Sequence, residues 1–234
     1  TRRKFVTTFH GTYNFKNKLK KFYNSVMIRS KLTIAGSNFI FDHINEHYGS
    51  YLNSKKKLLV IFRGINLNYY DPKQISDIKL LKLKKEWQVD EDKFKVLLPG
   101  RLTNWKGQIN FIEALNILIE DYKNDNFQAF ILGSDQGRNV YKKKLQSLID
   151  RYNLGKKIKF IEHCKEMPLA YAISDVVISS SIEPEAFGRV AVEAQAMQKP
   201  IIATNLGGSK ETIINNKTGI LYKFDDPREL AKNI

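Results

Sequence analysis

From residue 94 onward, short β-branched apolar runs alternate with amphipathic segments, and that alternation points to an α/β fold built on a parallel sheet. The runs fall at 94–98, 127–132, 158–161, 175–178 and 200–204, with an edge strand expected at 218–222. Their near-continuous apolar character suits strands covered on both faces, since the crossover helices of a parallel sheet pack on each side. Helices are expected at 108–122, 139–152, 167–173, 187–198 and 210–214, and from Asp226-Pro227 onward. Open sheets of this kind bind ligands outside the C-terminal ends of their strands. The residues directly after each run are therefore where chemistry is expected.

The earlier part reads similarly but is shorter, with strands at 5–9, 32–35 and 58–61. Ser37-Asn38 is a cap for a helix over 39–48. Over 16–31, Leu19, Phe22, Tyr23, Val26 and Met27 recur at helical spacing under a basic face of Lys16, Lys18, Lys20, Lys21 and Arg29. That helix is expected to bury its apolar stripe and to leave the basic face to solvent or to an anionic membrane. Breaks at Arg63-Gly64 and Asp71-Pro72 put a boundary near 70, giving segments 1–69 and 70–234. The chain opens inside what reads as a strand and stops within a helix, so further sequence is expected at both ends.

Two segments concentrate the chemistry. Pro99-Gly100-Arg101-Leu102-Thr103-Asn104-Trp105-Lys106-Gly107 follows the 94–98 strand, and Arg101 and Lys106 bring two cations suited to a diphosphate. After the 175–178 strand, Glu185 lies in a loop and Glu193 about two turns along a helix. Each carboxylate can accept the paired hydroxyls of a sugar, and free N–H groups around Phe187, Gly188 and Arg189 suit a phosphate. The alternative is that both are solvated acids at a helix terminus. His10 follows the first strand at its C-terminal end, either a site residue or a structural one. Gly207-Gly208, before a helix, is a candidate anion site or a tight turn.

Other classes fit poorly. Gly133-Ser134-Asp135-Gln136-Gly137 is not a G-x-G-x-x-G turn, which excludes a nicotinamide or flavin reading. His163-Cys164 lacks metal-ligand spacing, and no metal is expected. Paired carboxylates also serve glycosidases, but the cationic loop argues against hydrolysis. The single cysteine fits a reducing compartment, and no apolar run approaches the roughly 20 residues of a membrane helix; the expected location is cytoplasmic. The net charge of +15 over 234 residues leaves open a solubilising surface, an anionic membrane or acceptor, and nucleic acid, for which no motif is present.

The run Glu185-Ala-Phe-Gly-Arg-Val-Ala-Val-Glu193 resembles the E-x7-E motif of retaining glycosyltransferases of the GT-B fold, the group 1 or family 4 type. The Gly-Arg-x4-Lys-Gly loop at 100–107 resembles that family's phosphate-binding loop, and His10-Gly11 its strand-His-Gly setting. The resemblance implies a Rossmann-like C-terminal domain with a partial N-terminal acceptor-side domain. It implies a donor site with Glu193 on the ribose and Glu185 on the sugar hydroxyls. Arg101, Lys106 and Gly100 would meet the diphosphate with Phe187, Gly188 and Arg189, and His10 would reach the donor sugar. The implied donor is a UDP- or GDP-sugar and the acceptor a glycan or lipid-linked chain, with no cofactor or metal. The setting would be envelope polysaccharide assembly at the inner face of the cell membrane. A basic nucleic-acid or membrane-binding module without transferase activity is the alternative reading.

Overall fold

The computed structural model describes residues 5–13, 15, 17–52, 57–137 and 139–234. They form two compact units. One holds the described residues through Gly64 with Pro184–Gly188 and Gly207–Thr212; the other holds Ile65–Glu183, Arg189–Leu206 and Ile213–Ile234. The first unit thus ends a few residues before the boundary expected near 70, and it takes in two short segments from later in the chain.

In the first unit β1 (Val6–Phe9), β2 (Leu32–Ala35) and β3 (Lys57–Val60) form a parallel sheet in that order, with Val6 opposite Leu32 and Leu32 opposite Lys57. Between the strands lie α1 (Lys18–Asn24), which tightens into a 3-10 turn at Ser25–Ile28, and α2 (Asn38–Tyr48). Phe9, Ile28, Ala35, Ile40, Ile44 and Tyr48 form the core. Ser37 caps α2 by accepting from the Ile40 N–H at 3.1 Å.

The first helix departs from expectation. Leu19, Phe22, Tyr23 and Val26 are exposed, and the buried residue of α1 is Asn24. Its amide donates to the Tyr13 carbonyl at 2.7 Å and to the Tyr48 hydroxyl at 3.3 Å. A polar group is thus buried with its partners made. The α-helix lasts seven residues and then tightens into the 3-10 turn. Of the expected stripe, Met27, in that turn, packs against the unit's core. Lys16 lies outside the described residues.

The second unit begins with α3 (Asp77–Glu86), which the periodicity did not signal: it is rich in lysine and buries none of its residues, and its start is set by the Ser76 cap. Strand and helix then alternate through β4 (Phe94–Pro99), α4 (Gln108–Glu120), β5 (Phe127–Leu132), α5 (Asn139–Arg151), β6 (Ile158–Ile161), α6 (Met167–Ile173), β7 (Val176–Ser179), α7 (Arg189–Ala196) and β8 (Ile201–Thr204). After α8 (Ser209–Thr212), which belongs to the first unit, come the edge strand β9 (Ile220–Tyr222) and α9 (Pro227–Asn233). The six strands are parallel in the order β6-β5-β4-β7-β8-β9.

Side chains alternate between two cores. Val96, Leu98, Ala129 and Ile131 pack with α4, α5 and α9, while Leu97, Phe130 and Val177 pack with α6 and α7. The chain runs outward from β4 to β6 and then returns to the other side of β4 as β7. Adjacent loops leave the sheet in opposite directions at that switch point, opening a crevice beyond the ends of β4 and β7.

Candidate active site

The loop after β4 is shaped by backbone contact. Gly107 has φ +69°, and a Cβ there would stand 1.8 Å from the Ser180 carbonyl oxygen. Only glycine fits such a position. Ser180 Oγ donates back to the Gly107 carbonyl at 3.0 Å, and the Ile182 N–H donates to the Trp105 carbonyl at 2.8 Å. The two loops that flank the switch point are thereby joined. Gly133, at the end of β5, leaves space for the Gly100 carbonyl, which a Cβ would approach to 2.0 Å. The turn after it closes on itself, with Ser134 Oγ accepting from Gln136 N–H and Asp135 Oδ1 from Gly137 N–H.

Within this frame Arg101 has a fixed backbone and an exposed side chain. Its carbonyl accepts from Gln108 Nε2 at 2.8 Å, and Gln108 Oε1 accepts from the Tyr141 hydroxyl at 3.1 Å. Gln108 is fully buried. Burial pushes the Tyr141 hydroxyl up to about 12, so it remains a donor throughout the physiological range. The Lys106 stem runs past Gly100, and its ammonium sits 4.4 Å from the Trp105 ring centroid. That cation–π contact holds it at the loop.

Glu193 is the second focus. It projects from α7 and is only 6% exposed. Tyr171 donates to Oε2 at 2.7 Å, and Arg189 donates to Oε1 from Nε at 3.2 Å and from Nη2 at 2.9 Å. The Tyr70 ring lines the cavity beside this carboxylate; burial, then the nearby Glu193 charge, push its hydroxyl up to about 12. Tyr171 is raised as well, by its burial first and then by Glu193. The Glu193 charge likewise raises Arg189. A solvated Glu193 is therefore ruled out. The carboxylate sits among donors, one of which, Arg189, has a side chain 67% exposed.

A cavity of about 350 Å³ opens here, bounded by Tyr70, Gly100, Gly133, Cys164, Arg189 and Glu193. The structure thus brings Gly100, Arg189 and Glu193 to one cavity, with Arg101 and Lys106 on the loop that begins at Gly100. Cys164 donates to the Glu166 carbonyl, and burial raises its thiol. Among the described residues no three His, Cys, Asp or Glu side chains gather as a metal site would need. Nor is any helix among them long and apolar enough to cross a membrane.

The remaining expected site residues lie in the first unit. The α7 helix starts at Arg189 rather than 187, leaving Phe187 and Gly188 before it, with Gly188 at φ +82°. Phe187 is buried and Glu185 half-buried. The loop is anchored through its backbone: Gly208 N–H donates to the Glu185 carbonyl at 2.8 Å and Ser37 Oγ to the Ala186 carbonyl at 2.5 Å. Gly207-Gly208 thus acts in a turn against this loop. His10 is exposed, and its Nδ1 lies 3.0 Å from Arg63 Nη2. Since a guanidinium only donates, Nδ1 accepts and the ring proton sits on Nε2.

As site residues Tyr70, Tyr171, Gln108 and Tyr141 escaped the sequence reading because a single hydroxyl or amide within a run leaves no pattern of spacing. Tyr171, in Met-Pro-Leu-Ala-Tyr-Ala-Ile, carried the one available signal, a lone hydroxyl on an otherwise apolar helix. Glu211 was missed as well. Its carboxylate accepts the Asn38 and Phe39 N–H groups at 2.8 and 2.6 Å. A negative charge there closes the N-terminus of α2.

The strand order and the loops at the switch point define an α/β protein of the GT-B glycosyltransferase fold, as solved relatives bear out. A glycosyltransferase of Rickettsia africae superposes with TM-score 0.85 at 39% identity, over 99% of this chain and 59% of that one. Anabaena Alr3699/HepE, solved in complex with UDP-glucose, superposes with TM-score 0.86 at 27% identity, over 99% and 61%. The chain belongs to the family "Glycosyl transferases group 1", whose model matches residues 81–234. Spore coat protein SA of Bacillus subtilis is 29% identical over 240 residues, 98% of this chain and 62% of its own length. The chain spans about three fifths of the length of these relatives.

Proposed function

We propose that the protein transfers a sugar, with retention of configuration, from a nucleotide-diphosphate donor to a hydroxyl of a glycan or lipid-linked acceptor. The observation that carries the reading is the buried Glu193 carboxylate in a cavity that also exposes Gly100, at the start of the Arg101–Lys106 loop. A carboxylate held in a half-apolar cavity suits a diol, such as that of a ribose, and two cations close by suit a diphosphate. The UDP-glucose complex of Alr3699/HepE supports a UDP-sugar as donor.

In this reading Glu193 binds the ribose, Arg101 and Lys106 the diphosphate with Arg189, Gly188 and Phe187 alongside, and Glu185 the donor sugar. His10 supplies an imidazole whose Nε2–H donates to that sugar. As the glycosidic C–O bond breaks, negative charge grows on the leaving phosphate. Preplaced cations stabilise that charge more than the ground state, which is the form of binding that accelerates a reaction. These cations take the part a divalent ion would otherwise play, so chelator is expected to leave turnover unchanged. Retention and a role in envelope polysaccharide rest on the family resemblance. The net charge of +15 suits an anionic membrane surface as the working location, and it equally suits a plain solubilising surface.

Calorimetric titration with UDP, GDP and ADP tests the site, each repeated on Glu193→Gln. One nucleotide is expected to bind, and the substitution to weaken it by about 1–3 kcal/mol. Equal binding by the folded variant refutes the role given to Glu193.

A further inference from the structure

An ionised carboxylate has about four lone-pair positions, and three of those on Glu193 are taken. Tyr171 donates to Oε2, and Arg189 Nε and Nη2 both donate to Oε1. A ligand diol donates twice, so it must displace one of these donors. The two residues differ in freedom. Tyr171 is fully buried on α6, whereas the Arg189 side chain is 67% exposed and borders the cavity. Arg189 also sits four residues before Glu193 on the same helix, so its ion pair forms without any ligand.

We propose that Arg189 is a latch on Glu193: it occupies Oε1 in the empty protein, gives way when a ribose diol arrives, and pairs with the phosphates of the same ligand. Tyr171 does not move. It is a positioning residue that holds the carboxylate and keeps it aimed into the cavity. The proposal rests on the reading of Glu193 as the ribose acceptor and adds a specificity device to it. A nucleoside without phosphates must break the ion pair and finds no replacement for the freed guanidinium. A nucleoside diphosphate supplies one, so the latch selects for phosphorylated ligands before any sugar is read.

The test is titration of uridine, guanosine and adenosine, each beside its 5′-diphosphate, into the wild-type protein, Arg189→Ala and Glu193→Gln, with thermal melts to confirm folding. In Arg189→Ala the nucleoside of the nucleotide that binds is expected to bind about fivefold more tightly, as loss of a partly exposed ion pair allows. The preference for diphosphate over nucleoside is expected to fall about tenfold. Nucleoside binding that is unchanged or weaker in Arg189→Ala, while Glu193→Gln still weakens binding, overturns the latch alone. Binding indifferent to Glu193→Gln, or no binding of any compound to the wild type, overturns the ribose reading and the latch with it.

Discussion

Every residue of β5 and of β7 is buried, whereas none of β3 is. The larger sheet has a core on each face, and its site loops are fixed by backbone contact: Gly107 against Ser180, Gly133 against Gly100, and the Arg101 carbonyl on Gln108. In the smaller sheet His10 stands exposed at the end of β1 beside Arg63. Closed packing on both faces leaves a loop one path, and a site built there inherits its precision from the backbone. A residue at the end of a half-covered sheet depends on side-chain partners. The two regions are thus expected to respond very differently to small changes.

The largest contrast is expected between two glycines. Gly107→Ala places a Cβ inside the Ser180 carbonyl at a positive φ. It should cost more than about 3 kcal/mol in urea unfolding. Gly11→Ala, beside His10 with nothing within 4 Å of its Cβ, should stay within about 0.5 kcal/mol. Comparable costs would break the contrast between the regions.

Next comes the polar chain behind Arg101. Gln108→Leu leaves the Arg101 carbonyl and the Tyr141 hydroxyl without the partner they share, and should lower stability by about 2 kcal/mol and weaken diphosphate binding. Tyr141→Phe removes one hydrogen bond and should cost about 1 kcal/mol. A Gln108→Leu protein that binds UDP normally would show that Arg101 needs no such support.

The smallest effect concerns pH and the first unit. Burial, assisted by His47, lowers the His43 pKa below the usual 6.5, against the raising influence of the Thr12 backbone and Glu46. The unfolded chain then takes up the proton more readily than the folded one. Stability contributed by the neutral ring is present above about pH 6.5 and is lost as pH falls below it. The urea midpoint should decline between about pH 7 and pH 5, and His43→Gln should flatten that decline.

The same contrast explains what the sequence disclosed. The five apolar runs from 94 to 204 are strands within a residue or so, because burial on both faces leaves no polar alternation to confuse them. The family motif located Glu193, and its position after β7 placed it near the switch point. The apolar spacing over 16–31 misled, since Leu19, Phe22 and Tyr23 are exposed and the unit buries Asn24 in their place. Tyr70 lies far before Tyr171 in the chain, and no local spacing could signal that both would line the Glu193 cavity.

The loop at the end of β4 is expected to hold a donor diphosphate. Calorimetric binding of UDP and UMP to the wild-type protein and to Arg101→Ala with Lys106→Ala tests this. Loss of two charge-assisted contacts should weaken UDP by about 3 kcal/mol or more, roughly a hundredfold or greater, and leave UMP much less affected. UDP bound to the folded double variant at wild-type affinity would place the phosphates elsewhere and contradict the account.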